Sequence, residues 1–213
     1  MKTIIVSGAS STAAKTSLAA VLLPKLRPRA WGAVKITVTH DITQGCPRGG
    51  SGCGVCASVG GGYRIIADLE TITQPLTDTG RLSEAGADPV LWLITTPPFV
   101  RLGWADLQQR LGPVEGAVIE SNSLAFCITP GLNFFTINPR VPRSRWKASA
   151  PILIERSDFV VISLHDAKRE QVQALIDEIH TKRNGRGVIV TEAVEWAVDL
   201  PEVQEKLEAL SVR

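Results

Sequence analysis

The fold class of this chain is indicated most clearly by one N-terminal segment, Ile4-Ile-Val-Ser-Gly8-Ala-Ser-Ser-Thr-Ala-Ala-Lys15-Thr16-Ser-Leu18. The β-branched run before Gly8 predicts a buried strand over residues 2–7 that enters a turn at the glycine. From Thr16 onward the apolar pattern predicts a helix, which is expected to end before Pro28. The N-terminus is therefore predicted to form a strand, a turn of small residues and a helix.

The loop between this strand and this helix has the chemistry of an anion site. Backbone N–H groups in such a turn, together with the positive end of the helix dipole, attract phosphate. The ammonium group of Lys15 is expected to bridge terminal phosphates, and the hydroxyl of Thr16 is expected to hold Mg²⁺. The predicted nucleotide-binding residues of this loop are Gly8, Ser10, Ser11, Thr12, Ala13, Ala14, Lys15, Thr16 and Ser17.

Two features of this loop depart from the standard pattern G-x-x-x-x-G-K-[ST]. Ala14 stands where glycine normally precedes the lysine, and Gly8 lies one residue earlier than the pattern requires. Because glycine allows close backbone approach and unusual dihedral angles, alanine at this position is expected to weaken phosphate binding or abolish it. The alternative is an ordinary strand-to-helix turn with a solvated lysine.

Apolar strands alternate with helical segments along the rest of the chain. This alternation predicts a three-layer α/β fold, with a mainly parallel sheet covered by helices on both faces, in a single domain over residues 1–213. Further strands are predicted at 33–39, 90–95, 116–120, 133–138, 158–163 and 187–191. Further helices are predicted at 79–85, 104–111, 167–181 and 201–210. Residues 139–151 are predicted to form one long surface loop.

The bulk composition is that of an ordinary globular protein. Of the 213 residues, 44% are hydrophobic and 21% are charged, and the formal net charge is +2. Such a small charge gives no reason to expect nucleic acid or a membrane surface as a partner. No apolar run approaches the length of a membrane span or of a signal peptide, so a cytoplasmic location is expected.

A glycine-dense insert over residues 45–62 holds three of the four cysteines. Cys46, Cys53 and Cys56 lie close together in sequence, and the last two form a C-x-x-C pair whose spacing lets two thiolates bind one metal. Cys127 follows a predicted strand and is expected to complete a four-thiolate set. Zinc, an iron–sulfur cluster, another soft metal such as nickel or copper, and a redox pair remain open, as do scattered free thiols.

Two acidic residues follow predicted strands at the edge of the sheet that carries the phosphate loop. Asp41 comes after the second strand, beside His40, and Glu120 ends the apolar strand at 116–120. A carboxylate at such a strand end can hold Mg²⁺ directly or through water, or position an attacking water. Lys15, Asp41 and Glu120 are the candidate catalytic residues.

Four stretches of the chain resemble P-loop proteins that include metal-insertion G proteins and cofactor-biosynthesis accessory proteins. Residues 8–16 are similar in spacing to the loop of dethiobiotin synthetase and cobyrinic acid amide synthases. Residues 77–87 resemble the Lys-Asp-Ser/Thr…Ala-Gly-Ala segment of molybdopterin-guanine dinucleotide biosynthesis protein B. Residues 119–127 resemble the Ile-Glu-Asn/Ser strand end of the hydrogenase and urease nickel-maturation GTPases. Cys46-Pro47 resembles the Cys-Pro-His metal motif of the urease protein.

This resemblance implies a nucleotide-driven conformational switch coupled to a thiolate metal site. It implies Mg²⁺ with GTP or ATP, Zn²⁺ or an iron–sulfur cluster at the cysteines, a metalloenzyme client and a homodimer. Asp166 in Ser163-Leu-His-Asp166 stands where the Asn-Lys-x-Asp pattern reads guanine, and is therefore a candidate base-reading residue. Nucleoside triphosphatase activity is left open. The alternatives are a non-enzymatic metal or iron–sulfur module on a degenerate phosphate loop, and a cofactor ligase or amidotransferase.

Overall fold

A computed structural model describes residues 1–26, 30–39, 59 and 62–212, with side chains described as far as residue 210. These residues form eight strands and seven α-helices. The strands are β1 (Lys2–Gly8), β2 (Trp31–Val38), β3 (Tyr63–Ile66), β4 (Val90–Thr95), β5 (Gly116–Glu120), β6 (Leu132–Ile137), β7 (Phe159–Ser163) and β8 (Val188–Thr191). The helices are α1 (Lys15–Lys25), α2 (Leu69–Ile72), α3 (Asp78–Glu84), α4 (Val100–Leu111), α5 (Ala150–Arg156), α6 (Arg169–Arg183) and α7 (Pro201–Val212).

All eight strands join one sheet, in the order β3-β4-β2-β5-β1-β6-β7-β8. Every pairing is parallel except that of β3 with β4, which is antiparallel. Strand β1 is central and lies between β5 and β6. Open α/β sheets bind ligands at the carboxyl ends of strands where the order reverses, so the loop after β1 lies in the favoured position.

Each face of the sheet is covered by helices. One apolar cluster packs α1, α3 and α7 against the sheet through residues such as Leu18, Leu82 and Leu207. The other packs α4, α5 and α6 against the opposite face through residues such as Leu107 and Leu153. Alternate residues of β1 enter the two clusters, because successive side chains of a strand point to opposite faces. The predicted three-layer α/β architecture is confirmed.

The predicted strands are all present, and β4 and β5 have the predicted bounds. Strand β3 was not predicted, since it is four residues long and lies next to the glycine-rich segment. The prediction of one surface loop over residues 139–151 was wrong at its end, because α5 begins at Ala150. Pro151 lies in the first turn of α5, where proline is well tolerated. Helix α4 begins at Val100, four residues earlier than predicted.

Candidate phosphate-binding site at the start of α1

The loop between β1 and α1 is closed tightly around its first residue. A Cβ atom on Gly8 would lie 2.7 Å from Oγ1 of Thr136 and 2.9 Å from Cγ of Lys15. Both distances are shorter than real Cβ contacts, so only glycine fits here. The backbone N–H of Ala9 donates to the carbonyl of Thr136 at 2.9 Å, which ties the start of the loop to β6.

The Lys15 side chain folds into this loop. Its ammonium group donates to the carbonyl oxygens of Ser10 at 3.1 Å and Ser11 at 3.3 Å. It also lies 3.7 Å from Oε1 of Glu120. The side chain is 8% exposed. Burial lowers the pKa of Lys15, although the carboxylate of Glu120 opposes that effect. A buried cation at a helix N-terminus is an unfavourable arrangement by itself, and it becomes favourable when an anion binds beside it.

Ala14 occupies the N-cap position of α1 in the left-handed conformation, with φ 60° and ψ 28°. This is the backbone geometry for which glycine is normally selected. The backbone adopts the left-handed turn at Ala14, at a steric cost carried by the Cβ atom, and the expected weakening of phosphate binding stays a prediction.

Ser10 adds a second indication of an anion site. It is 6% exposed, and its hydroxyl oxygen has no hydrogen-bond partner in the part of the chain that the structure describes. A buried hydroxyl without a partner is costly, and a ligand oxygen is one way to satisfy it. The 11-residue helix α1 places its free N–H groups at the same loop.

Thr16 lies between two carboxylates on neighbouring elements. Its Oγ1 atom is 2.6 Å from Oε2 of Glu120 and 3.0 Å from Oδ1 of Asp78. A hydroxyl has one proton, so it can donate to only one of these oxygens at a time. Three hard oxygen donors thus converge beside the phosphate loop, and this donor set fits Mg²⁺, which prefers carboxylates and hydroxyls and keeps several waters.

Lys35 of β2 neutralises the same two carboxylates. Its ammonium group forms an ion pair with Asp78 and donates to Oε1 of Glu120 at 3.2 Å. Burial disfavours the charged form of Lys35. The combined attraction of the Glu120 and Asp78 carboxylates is the larger effect, and it raises the pKa of Lys35. Burial likewise favours a protonated Asp78, but Lys35 and Thr16 hold the pKa of Asp78 below its usual range.

Asn122 fixes the phosphate loop to the chain after β5. Its Oδ1 atom accepts from the N–H of Gly8 at 3.1 Å, and its Nδ2 atom donates to the Gly8 carbonyl at 2.9 Å. The same Nδ2 atom donates to Oγ of Ser149, just before α5, at 3.0 Å. Two further bonds reach the loop from the chain after β6, from Asn138 to the Thr12 carbonyl and from the Lys147 N–H to the Ala9 carbonyl.

The structure brings most of the predicted nucleotide-binding residues together. Residues 8–17 form the loop and the first turn of α1, and Glu120 lies beside them. Asp166 lies apart from them, beyond the end of β7 and two strands away from β1; it is exposed and has a φ of 65°. Ser17 faces α3, where its hydroxyl accepts from Arg81 at 2.9 Å.

The predicted thiolate site falls mostly outside the described residues. The structure does not describe Cys46, Cys53 and Cys56, nor His40 and Asp41. Cys127 is half-buried at the end of a 3₁₀ turn and donates to the Ser123 carbonyl at 3.5 Å. Within the described ranges, no three His, Cys, Asp or Glu side chains are grouped so as to hold a metal ion.

Sequence reasoning missed Lys35, Asp78 and Asn122 as site residues. Two of them lie in stretches that carry the family resemblance, Asp78 in residues 77–87 and Asn122 two residues after Glu120. Lys35 had a weaker signal, as the only charged residue in the apolar strand Trp31–Val38. A lysine in an apolar strand of a sheet covered on both faces requires a charged partner, which is a signal for a nearby carboxylate.

Comparison with known proteins supports the fold assignment. No family model matches the chain, and no curated protein matches it. Hydrogenase maturation factor HypB from Archaeoglobus fulgidus is similar in structure, with a TM-score of 0.51 and 11% identity over 96% of this chain and 90% of that chain. HypB from Helicobacter pylori, solved with nickel, has a TM-score of 0.46 and 12% identity over 100% of this chain and 84% of that one. MinD from Aquifex aeolicus has a TM-score of 0.43 and 13% identity, over 99% of this chain and 95% of that one.

The chain therefore has a three-layer, P-loop NTPase-like fold, with the candidate phosphate loop between the central strand and the first helix. Among the described residues, no helix has the length and apolar character needed to cross a membrane.

Proposed function

We propose that this chain binds a Mg²⁺-nucleoside triphosphate in the loop over residues 8–16 and acts as a maturation factor for a metallocentre or a metal-containing cofactor. The observation that carries the nucleotide proposal is the position of Lys15, whose buried ammonium group lies inside the loop at the N-terminus of α1. Its nearest carboxylate, that of Glu120, lies 3.7 Å away and is shared with Lys35, and a polyphosphate would place anionic oxygens directly against it.

The residues around this loop have distinct roles in the proposal. The backbone N–H groups of the loop and of the first turn of α1 hold the phosphates, and Lys15 neutralises the terminal ones. Thr16, Asp78 and Glu120 hold Mg²⁺, which supplies charge neutralisation of the phosphate oxygens when bound. Asn122 keeps the loop in the binding geometry. Asp166 is proposed to contact the base, and the choice between GTP and ATP is left to experiment.

The proposed maturation role rests on two observations. The chain shares its fold with HypB of Archaeoglobus fulgidus, which is described as a hydrogenase maturation factor. The sequence also carries Cys46, Cys53 and Cys56 between β2 and β3, with Cys127 after β5. We propose that these thiols hold Zn²⁺ or an iron–sulfur cluster, and that the protein works as a homodimer on a metalloenzyme client.

Ala14 favours a second candidate, a metal or iron–sulfur module on a phosphate loop that no longer binds nucleotide. The left-handed conformation at this residue costs about 1–2 kcal/mol for a side chain with a Cβ atom. In that case the metal content is stoichiometric, and replacing Lys15 leaves the metal content unchanged.

Isothermal titration calorimetry of the folded protein with Mg²⁺-GTP and Mg²⁺-ATP tests the proposal. The matched variants are Lys15→Met and Lys25→Met, which lie at opposite ends of α1; Lys25 pairs with Asp199 on the surface. We expect wild type and Lys25→Met to bind one nucleotide with similar affinity. Lys15→Met should bind it roughly 10–100-fold more weakly, the usual value of a charge-assisted hydrogen bond. No heat from either nucleotide with folded wild-type protein would contradict the proposal.

A further inference from the structure

Lys35 belongs to the phosphate-loop network but has no role in the Mg²⁺-nucleotide binding proposed above. It projects from the middle of β2, and the parallel register of β2 with β5 sets it directly beside Glu120. Its side chain is 19% exposed, and its ammonium group contacts both Asp78 and Glu120. Both of these carboxylates also contact Thr16.

The charges in this network balance without a metal. Lys15 and Lys35 carry two positive charges, and Asp78 and Glu120 carry two negative ones. The ammonium group of Lys35 contacts the same pair of carboxylates that is proposed to hold Mg²⁺. A divalent cation entering this site alone would therefore meet a neutral, partly buried cluster that already contains a cation, which is unfavourable.

We propose that Lys35 is a built-in counter-ion that occupies the Mg²⁺ position in the nucleotide-free protein and is displaced when Mg²⁺ and a polyphosphate bind together. This inference rests on the proposed function, because it assumes that Thr16, Asp78 and Glu120 form a Mg²⁺ site. The polyphosphate restores the charge balance that Mg²⁺ alone would upset, so the two ligands bind cooperatively. Once released from the carboxylates, Lys35 lies beside the phosphates as a second cation.

The exchange has a structural consequence for β2. In the nucleotide-free protein, Lys35 ties β2 to the start of α3 through Asp78 and to β5 through Glu120. Displacement of its ammonium group removes both ties at once. The chain that leaves β2 carries Asp41 and then the three clustered cysteines in sequence. Lys35 thereby links nucleotide binding to the strand that precedes the proposed metal-binding segment.

A purely structural ion pair makes a different prediction. If Lys35 served only to pair with the buried Glu120 and the half-exposed Asp78, its removal would destabilise the protein equally with or without Mg²⁺. If it occupies the metal position, its removal leaves Lys15 against the two carboxylates of Asp78 and Glu120, a net charge of −1 beside Thr16, and Mg²⁺ alone should then bind. The distinguishing readout is the response of stability to Mg²⁺ without any nucleotide.

The experiment is thermal unfolding of wild type, Lys35→Met and the control Lys182→Met during a Mg²⁺ titration at constant ionic strength. Lys182 pairs with Glu178 on the surface of α6, far along the chain from the phosphate loop. We expect Lys35→Met to start with a lower Tm and to gain roughly 3–6 °C when Mg²⁺ reaches about tenfold over its Kd. Wild type and Lys182→Met should change little over the same range.

Lys35→Gln is a second variant in case the methionine variant does not fold without Mg²⁺. Its amide can still donate to one carboxylate but carries no charge, so the same Mg²⁺-dependent gain is expected. Recovery of folding on addition of Mg²⁺ counts as that gain. The inference is overturned if the variants respond to Mg²⁺ no more than wild type does, or if wild type already binds Mg²⁺ alone as tightly as they do.

Together with the nucleotide titrations, this experiment distinguishes failure of the counter-ion role from failure of the proposed function. If wild type binds Mg²⁺-nucleotide while the Lys35 variants gain nothing from Mg²⁺, the counter-ion role is wrong and the nucleotide site stands. If the variants gain Mg²⁺ binding while wild type binds neither GTP nor ATP, the metal position is correct and the nucleotide proposal fails.

Discussion

Ala14 is a residue of the phosphate loop at which the sequence and the backbone geometry disagree. The turn into α1 requires a left-handed residue, and the chain supplies alanine instead of glycine. The hydrogen bond from the Leu18 N–H to the Ala14 carbonyl, at 3.1 Å, keeps this residue in place at the helix start. The strain is thus offset by the helix that follows and by the bonds that hold the loop.

Replacing Ala14 with glycine should relieve this strain. The left-handed conformation costs about 1–2 kcal/mol for alanine, and the extra freedom of an unfolded glycine offsets about 0.4–1 kcal/mol of that gain. We therefore expect Ala14→Gly to raise the free energy of unfolding by roughly 0.5–1 kcal/mol, and to strengthen nucleotide binding. Chemical denaturation and calorimetry measure the two effects. Ala13→Gly, one residue earlier in the same loop, is the matched control, and a fall in stability for Ala14→Gly would contradict the explanation.

Asp78 provides a test of the charge network through pH. Its pKa is held below the ordinary value of 3.8, so its ionised form stabilises the folded state at neutral pH. This contribution is present above that ordinary value and is lost as the pH falls through the lowered pKa. The difference in free energy of unfolding between wild type and Asp78→Asn should therefore be largest near neutral pH and shrink below pH 3.8.

Urea denaturation of both proteins across this pH range measures that difference. Asp106→Asn, which removes an exposed ion pair with Arg110 on α4, is the control and should cost less than about 1 kcal/mol. A difference between wild type and Asp78→Asn that stays constant down to acidic pH would show that Lys35 and Thr16 do not hold the ionised form.

At the scale of elements, Asn122 joins three parts of the fold. It pairs with both backbone groups of Gly8 at the end of β1, it follows β5, and it contacts Ser149 before α5. Asn122→Ala leaves two buried backbone groups of Gly8 without this partner, which should cost roughly 1–3 kcal/mol of stability. Nucleotide affinity should fall as well, because the loop loses its anchor.

Asn138→Ala is the matched control for this prediction. Asn138 also donates to a carbonyl of the loop, that of Thr12, but its bond is exposed. Its removal should therefore cost less than about 1 kcal/mol. Thermal unfolding and nucleotide titration measure the stability and the nucleotide affinity of the two variants. Equal losses of stability and affinity in both would mean that Asn122 has no special part in holding the loop.

Elements with a strong local signal could be predicted from the sequence, and contacts between distant elements could not. β4 and β5 have the predicted bounds because each is an apolar run closed at both ends. α5 was missed because Pro151 lies in its first turn, where a proline fits but also resembles a break. The partners of Lys35 lie 43 and 85 residues away along the chain, so no local pattern could reveal them.

For the molecule as a whole, strand order explains why the site forms where it does. Strands β2, β5 and β1 are neighbours in the sheet, and their parallel directions bring Lys35, Glu120 and the phosphate loop to one place. Helix α3 packs beside α1 on the same face and supplies Asp78. The phosphate loop could be predicted from one segment of sequence. The network around it depends on how β1, β2, β5, α1 and α3 are arranged.

The most direct test of the phosphate loop is a set of ¹⁵N–¹H spectra of the protein recorded during titration with Mg²⁺-GTP and with Mg²⁺-ATP. We predict that the largest shifts for one nucleotide will fall on the backbone amides of residues 9–16, because their N–H groups would donate to phosphate oxygens. Chemical-shift changes confined to other residues, or no chemical-shift change with either nucleotide, would contradict the account.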